Sequence, residues 1–493
     1  LATKRRLETS EQARSRAVQA LDGRPLVVVS NRLPVERTPE GTWRAASGGL
    51  VAALSPTLDA TGGRWIGWDG SEDRARKKIP RVEGIGFSVT PVGLSRREVA
   101  GFYYGFSNRT LWPLLHDLSR EPIFDEALYQ SYEEVNRRFA RTVLDSTRPG
   151  DVIWIQDYHL LLAPRMIREE RPDALIVFFL HVPFPPPEIW RRLPWRDEIV
   201  QGMLGADLVA FHTEAYAENF RRSALASAAG VAWTAEGEII SDGRTAAVGA
   251  FPISVDFDAW DALVRTDEVR REAARIRQRL GDRRIVLGVD RLDYTKGIPE
   301  RLEAFEALLE NRSELRKEVV LIQIAVPSRT RVREYRALKR SVEEVVGRIN
   351  GRFTDQEAVK IPVHYLYRSV PRARLAALYA AADVGLVTPL KDGMNLVAKE
   401  YCSCRADEGG ALVLSEFAGA ARELGAGAFL VNPFDRSAMQ ETLGRAIALD
   451  AGEARKRMRR LRTQIAGASV YHWAANLLQR GIEPARARPR TAA

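Results

Sequence analysis

The chain has 493 residues, is 45% hydrophobic and 28% charged, and carries a formal net charge of +10. That length exceeds what one hydrophobic core usually holds, so two domains are expected, and the ordinary composition excludes a fibrous or largely disordered chain. No run approaches about 18 uninterrupted apolar residues, which excludes a membrane-spanning helix, and the basic excess follows no zinc-finger or RNA-binding signature, so no nucleic acid is expected as a partner.

Much of the basic excess lies at the ends, in Lys4, Arg5, Arg6, Arg14 and Arg16 and in the tail RARPRTAA. The first stretch has no apolar segment of the kind a secretory signal carries. The two cysteines, Cys402 and Cys404, sit two apart in a helical pattern and face different ways, so neither a disulfide framework nor a zinc knuckle follows. A reducing cytoplasm fits.

Taken in chain order, short apolar runs alternate with helical patterns. LVVVS (26–30), RWIGW (64–68), DVIWIQD (151–157), ALIVFFLH (174–181) and DLVAFHT (207–213) read as buried parallel strands. Between them, Leu128, Tyr132, Val135 and Phe139 recur at helical spacing. The rhythm restarts after residue 250 with RIVLGVD (284–290), EVVLIQIAV (318–326), KIPVHYL (360–366), DVGLVTP (383–389), GALVLSE (410–416) and AFLVNP (428–433). Two such sets predict an α/β chain of two doubly wound domains. The expected boundaries are a basic extension over 1–24, a first domain over 25–248 and a second over 249–467. A short closing helix over 468–482, with Trp473 and Leu477 on one face, and a disordered tail over 483–493 follow.

Ligands of open α/β sheets bind beyond the carboxyl ends of the strands, and chemistry-bearing residues cluster there. Arg32 follows the first strand in SNRLPV, and its fork suits phosphate or carboxylate. Gly48 and Gly49 open a helix, where backbone amides favour oxygen or negative charge, although a plain turn explains them equally well. The pair is neither a dinucleotide fingerprint nor a phosphate-binding P-loop. Tyr103, Tyr104 and Trp112 form a dense aromatic group, readable as core packing or as a platform for a sugar face.

Asp157 and His181 each follow a strongly apolar strand, and a neutral His181 could hydrogen-bond a hydroxyl; His159 reads as a structural histidine. No nucleophile elbow or metal-binding histidine motif accompanies them. In VDRLDYTKG, Arg291 and Lys296 place cations beside a turn with open amides, a pattern suited to a diphosphate, and Arg329 follows the next strand. In PLKDGMNLVAKEY, a helix is expected to begin near Met394 or Asn395. Asp392 and Glu400 are eight residues apart, about 12 Å on an ideal helix. That is too far for a glycosidase acid–nucleophile pair, so the two carboxylates more plausibly meet different parts of one ligand.

Read together and in order, VVVSNRLPV, SGGL, WIGW, YYGFSNRTLWP, DYHLL, FFLHVPFP, RLDYTKG, QIAVPSR, GRINGRF, DVGLVTPLKDGMNLVAKEY and LSEFAGAA resemble the trehalose-6-phosphate synthase family (glycosyltransferase family 20) from Leu26 to about Leu478. The resemblance implies a GT-B architecture, two Rossmann-like domains facing across a cleft, with a C-terminal helix crossing back to the first. It implies retaining transfer of glucose from a nucleotide-glucose, commonly UDP-glucose, to glucose 6-phosphate in the cytoplasm, with no obligatory cofactor or metal. A homo-oligomer is the family expectation.

By the same resemblance, Gly48 and Gly49 would lie against the donor sugar. Arg32, Tyr104, Trp112 and Arg329 would hold the acceptor phosphate, with Trp65 and Asp157 beside the acceptor sugar. Arg291 and Lys296 would bind the donor diphosphate, His181 and Asp392 donor-sugar hydroxyls, and Glu400 the ribose. Arg291, Lys296, His181 and Asp392 would form the catalytic set. Gln156 stands where the family usually has histidine. A glucosylglycerol-phosphate synthase with a smaller acceptor and a non-catalytic sugar-phosphate sensor are the competing expectations, and the donor base is open.

Overall fold

Continuous β-branched and apolar runs form strands because each can be covered on both faces, and in a computed structural model they do so in two sheets. The structure describes residues 8–38, 41–46, 49–73, 79–118, 121–227, 230–234, 237–329, 332–355 and 360–486. The chain divides into two compact units, with breaks between Ile253 and Ser254 and between Ser469 and Val470.

The first unit is built on Leu26–Arg32 (β1), Arg64–Trp68 (β2), Ser88–Pro91 (β3), Val152–Gln156 (β4), Leu175–Phe179 (β5), Leu208–Phe211 (β6), Ala232–Trp233 (β7), Ile239–Ser241 (β8) and Arg244–Ala250 (β9). Their order in the sheet is β3-β2-β1-β4-β5-β6-β9-β8-β7. Pairing is parallel from β3 to β9, and β8 and β7 add an antiparallel edge. Val29 stands opposite Ile155 and Gln156 opposite Phe179. The residues that follow β1, β4 and β5 therefore emerge at one carboxyl edge. The helix Glu126–Ser146, capped by Asp125, buries Tyr132, Val135 and Phe139 as its spacing predicts, with Leu128 half-buried.

The second unit has strands Arg284–Arg291 (β10), Val319–Val326 (β11), Val363–Leu366 (β12), Val384–Val387 (β13), Ala411–Ser415 (β14) and Phe429–Val431 (β15). All pair in parallel in the order β12-β11-β10-β13-β14-β15, the doubly wound order. The reversal falls between β10 and β13, so the segments after those two strands flank the position where such sheets bind ligands. β15 is shorter than its apolar run because Asn432 leaves the ladder and accepts a bond from the Phe434 amide at 3.0 Å. Cys402 and Cys404 are buried free thiols.

The closing helix, Val470–Arg486, belongs to the first unit and is longer than its sequence pattern suggests. Its Trp473 packs on Trp154 at 5.0 Å and edge-on to Phe179 at 5.2 Å between ring centres. Against it lies a helix the motifs did not announce, Ser10–Ala20, held at its start by a Thr9–Gln12 capping box. Ala13, Ala17 and Ala20 are buried, and their small side chains let the two helices approach closely. Arg14 lies 3.8 Å above the Tyr471 ring, and Arg16 donates to Asn476 Oδ1 at 2.7 Å. Removing the residues up to Leu21 uncovers this face of the closing helix. The expected result is a melting temperature lower by a few degrees, read by calorimetry, as a loss of about 1–2 kcal/mol predicts. An unchanged transition would show that the contact contributes nothing.

Among the described residues, no helix is long and apolar enough to cross a membrane.

Candidate functional site

In the second unit the site begins where β10 ends. Arg291 is the last strand residue and is exposed, and the chain then makes a tight turn over Tyr294–Lys296. Gly297, at φ 62°, reverses into the helix Ile298–Asn311, and a Cβ there would stand 2.4 Å from the Thr388 carbonyl oxygen. Only glycine fits that approach. The turn is fixed from inside by Asp293, which accepts from the Thr295 amide at 3.0 Å and from Arg329 Nη1 at 2.7 Å. Burial opposes ionisation of Asp293. Arg329, then Arg291 and Lys296, outweigh it and hold the carboxyl well below the usual carboxylate range.

Lys296 is nearly buried, and its Nζ donates to Asp392 Oδ2 at 2.5 Å. Asn395 Nδ2 donates to the same oxygen at 3.1 Å. Thus Lys296 and Asp392, 96 residues apart, are brought into one ion pair at the reversal point of the sheet. The loop carrying Asp392 is held by a bridge to Ala418. Gly419 allows it, since a Cβ there would come 2.0 Å from the Gly393 carbonyl oxygen. The helix after the loop starts at Leu396, later than its sequence suggests. Asn395 sits at φ 78° and caps it, accepting from the Ala398 amide at 3.3 Å.

Glu400 lies on that helix and accepts from the Tyr379 hydroxyl at 2.9 Å. Burial pushes its carboxyl up to about 7, against the opposing effects of Tyr379 and Arg372.

One residue beneath this site was missed by motif reading. Arg301 is 0% exposed and donates to Asp290 (2.5 Å), Thr388 Oγ1 (3.0 Å), Gln323 Oε1 (3.0 Å) and the Lys296 carbonyl (3.3 Å). It ties β10, β11 and the segment after β13 to the Lys296 turn. Its sequence position, on an apolar helix face between Ile298 and Phe305, was the available signal.

In the first unit, Arg32 ends β1 exposed, its guanidinium 4.7 Å from the Trp68 ring centre. Trp65 is 1% exposed, stacks on Phe87 and spends its indole N–H on Ser30 Oγ at 2.8 Å. Trp68 is 3% exposed and donates its own indole N–H to the Ser71 carbonyl at 2.6 Å. The two indoles sit three apart on β2, and alternation sends them to opposite faces.

Tyr103 and Tyr104 lie on Val99–Leu111, a helix wound with the wider i→i+5 pitch. Such turns are rare and concentrate at functional sites. Tyr103 lies edge-on to Tyr104 at 5.1 Å and stacks on His159 at 5.9 Å. Trp112 is nearly buried between Tyr158 and His116, and the His116 ring bonds the Trp112 carbonyl at 2.8 Å. Gly49 opens the helix Gly49–Thr61, whereas Gly48 lies outside the described residues.

Asp157 adopts φ 74°, a left-handed conformation that non-glycine residues rarely hold. Its Oδ1 accepts from the His181 amide at 3.2 Å, so these two predicted residues are neighbours. The His181 ring is walled by Phe179 at 4.6 Å, His212 at 5.5 Å and Trp473 at 6.2 Å. Burial pushes its pKa down to about 3, which keeps the imidazole neutral at physiological pH. Among the described residues, no three His, Cys, Asp or Glu side chains converge to hold a metal ion.

The sequence model of glycosyltransferase family 20 matches residues 24–481. A trehalose-6-phosphate synthase of Mycobacterium sp. (strain JLS) is 50% identical over 465 residues, covering 92% of this chain and 95% of that one. Two solved structures are similar throughout. One is a UDP-forming α,α-trehalose-phosphate synthase from Burkholderia xenovorans in complex with glucose-6-phosphate (TM-score 0.83, 37% identity, 92% of this chain and 98% of that one). The other is an E. coli trehalose-6-phosphate protein bound with UDP-2-fluoro glucose (TM-score 0.84, 34% identity, 92% and 99%).

Proposed function

The chain belongs to glycosyltransferase family 20, and from that membership we propose that it transfers glucose from UDP-glucose to glucose 6-phosphate with retention, giving α,α-trehalose 6-phosphate. The observation that carries the reading is the Lys296–Asp392 pair set beside Arg291 where the second sheet reverses.

The leaving group of such a transfer is a nucleoside diphosphate whose negative charge grows as the glycosidic bond breaks. Arg291 and Lys296 flank the Asp293 turn and bring two positive charges to it, and these stabilise the developing charge. Asp392 and neutral His181 take donor-sugar hydroxyls, and Gly48 and Gly49 lie against that sugar. Glu400 takes the ribose diol, since a carboxylate accepts two hydroxyls. Arg32, Tyr104, Trp112 and Arg329 hold the acceptor phosphate, with Trp65 and Asp157 beside the acceptor sugar. The acceptor hydroxyl attacks on the face the diphosphate leaves, and the leaving phosphate oxygen takes its proton. Protein groups then act by positioning and electrostatics. No step in this scheme calls on a metal or a cofactor. The two buried free thiols favour a reducing, cytoplasmic setting, and we place the chain there as a homo-oligomer.

A panel of nucleotide-glucose donors against glucose 6-phosphate and glycerol 3-phosphate tests the reading. UDP release with a disaccharide phosphate is the expected result, and no product from any donor would overturn it. Glu400 adds a pH signature. With its carboxyl at about 7, lowering pH through that value protonates it and removes acceptor capacity. The KM for UDP-glucose should rise as pH falls below about 7, by at most about tenfold per pH unit for one linked proton. Glu400→Gln should flatten the profile.

A further inference from the structure

Gln156 closes β4 and is 1% exposed. Its register opposite Phe179 sets it beside the residues that follow β5. Its Oε1 lies 2.8 Å from His181 Nε2. An amide oxygen carries no hydrogen, so a hydrogen bond across that distance needs the proton on Nε2. A neutral imidazole has one N–H, and the other nitrogen is then an acceptor. The ring has little room to turn, because Phe179, His212 and Trp473 wall it and the His181 backbone amide is tied to Asp157.

We propose that Gln156 is a positioning residue that fixes His181 as the Nε2–H tautomer and so leaves Nδ1 as the acceptor for a hydroxyl of the donor sugar. The inference rests on the proposed placing of His181 against the UDP-glucose donor. A neutral amide suits the task. It orients the ring without drawing a second proton onto it, as a carboxylate in the same place would, and the acceptor at Nδ1 survives. The competing arrangement is the flipped amide, in which Gln156 Nε2 donates to His181 Nε2 and the proton moves to Nδ1. In that form His181 would offer the sugar a donor.

Nitrogen NMR of the full chain labelled with 15N-histidine separates the two, and six histidines give a spectrum simple enough to assign. The expected result is an Nε2–H tautomer for His181 and a shift of its Nδ1 signal on adding UDP-glucose. Gln156→Met, an unbranched side chain of similar length without an oxygen, should lose the tautomer preference. It should also lower kcat/KM for UDP-glucose by about tenfold to a hundredfold, the cost seen when a partner that orients a metal-binding histidine is removed. KM for glucose 6-phosphate should hold. Gln156→Glu keeps an oxygen facing Nε2 and should keep that nitrogen protonated. An Nδ1–H tautomer in the unmodified chain, or an unchanged tautomer in Gln156→Met, overturns the proposal. The tautomer is read without turnover, so failure of the glucosyl-transfer reading would show separately, as no product and no UDP-glucose shift.

Discussion

Replacing Arg291 by alanine should lower kcat by about 10²–10³-fold while the protein stays folded. Arg291 is the exposed last residue of β10, so its loss leaves no cavity in the core. Its charge acts on the turn through Asp293, where Arg329 and Lys296 remain to hold the carboxylate ionised. What disappears is a cation aimed at charge that develops only as the bond to the diphosphate breaks. Loss of an interaction specific to the transition state lowers kcat and kcat/KM together, with little change in KM. Steady-state kinetics with UDP-glucose and glucose 6-phosphate measure this. Arg455→Ala is the control. That arginine lines the same cavity as Arg284, the first residue of the same strand, and its removal should leave kcat within about twofold, the range of a surface change. Equal effects of the two substitutions would mean that net charge, and not position, governs turnover.

The largest effect on stability is expected at Arg301. Arg301→Met removes a fully buried guanidinium and leaves Asp290, which is equally buried, without its partner at 2.5 Å. Breaking a buried pair from one side costs about 3–5 kcal/mol, because the remaining charge has no solvent to stabilise it. Burial already pushes the Asp290 carboxyl upward, and Arg301 is the main group opposing that shift. Adding Asp290→Asn should therefore recover part of the loss, which urea unfolding of the single and double variants would show. Activity should fall as well, because Arg301 also holds the Lys296 carbonyl and Thr388, on which the turn depends. A single variant as stable as the parent would remove Arg301 from this role.

How far these residues were legible in the sequence depends on the kind of force that placed them. Strands such as LVVVS and RIVLGVD declare themselves because a run covered on both faces must be apolar throughout, and the helix around Tyr132 and Phe139 declares itself by period. Arg32, Arg291 and Lys296 stand out because they follow such strands immediately. The Val99–Leu111 helix is different. Its aromatic group is visible, but its i→i+5 winding has no periodic signature. Trp65 and Trp68 show the same limit, since both belong to one motif and are buried, and only the pleat decides which indole meets Arg32 and which bonds Ser30.

The sequence by itself determined that this is an α/β chain of two strand sets, that cations punctuate the strand ends, and that the ordered motifs are those of one transferase family. These follow from local pattern, which a one-dimensional string retains. The tertiary structure decided which charges meet. Lys296 finds Asp392, Arg301 finds Asp290, and Gln156 finds His181 only once β10 reverses against β13 and β4 is laid beside β5. Such contacts join residues far apart along the chain, and the strand order of each sheet, not any spacing in the sequence, sets their distances.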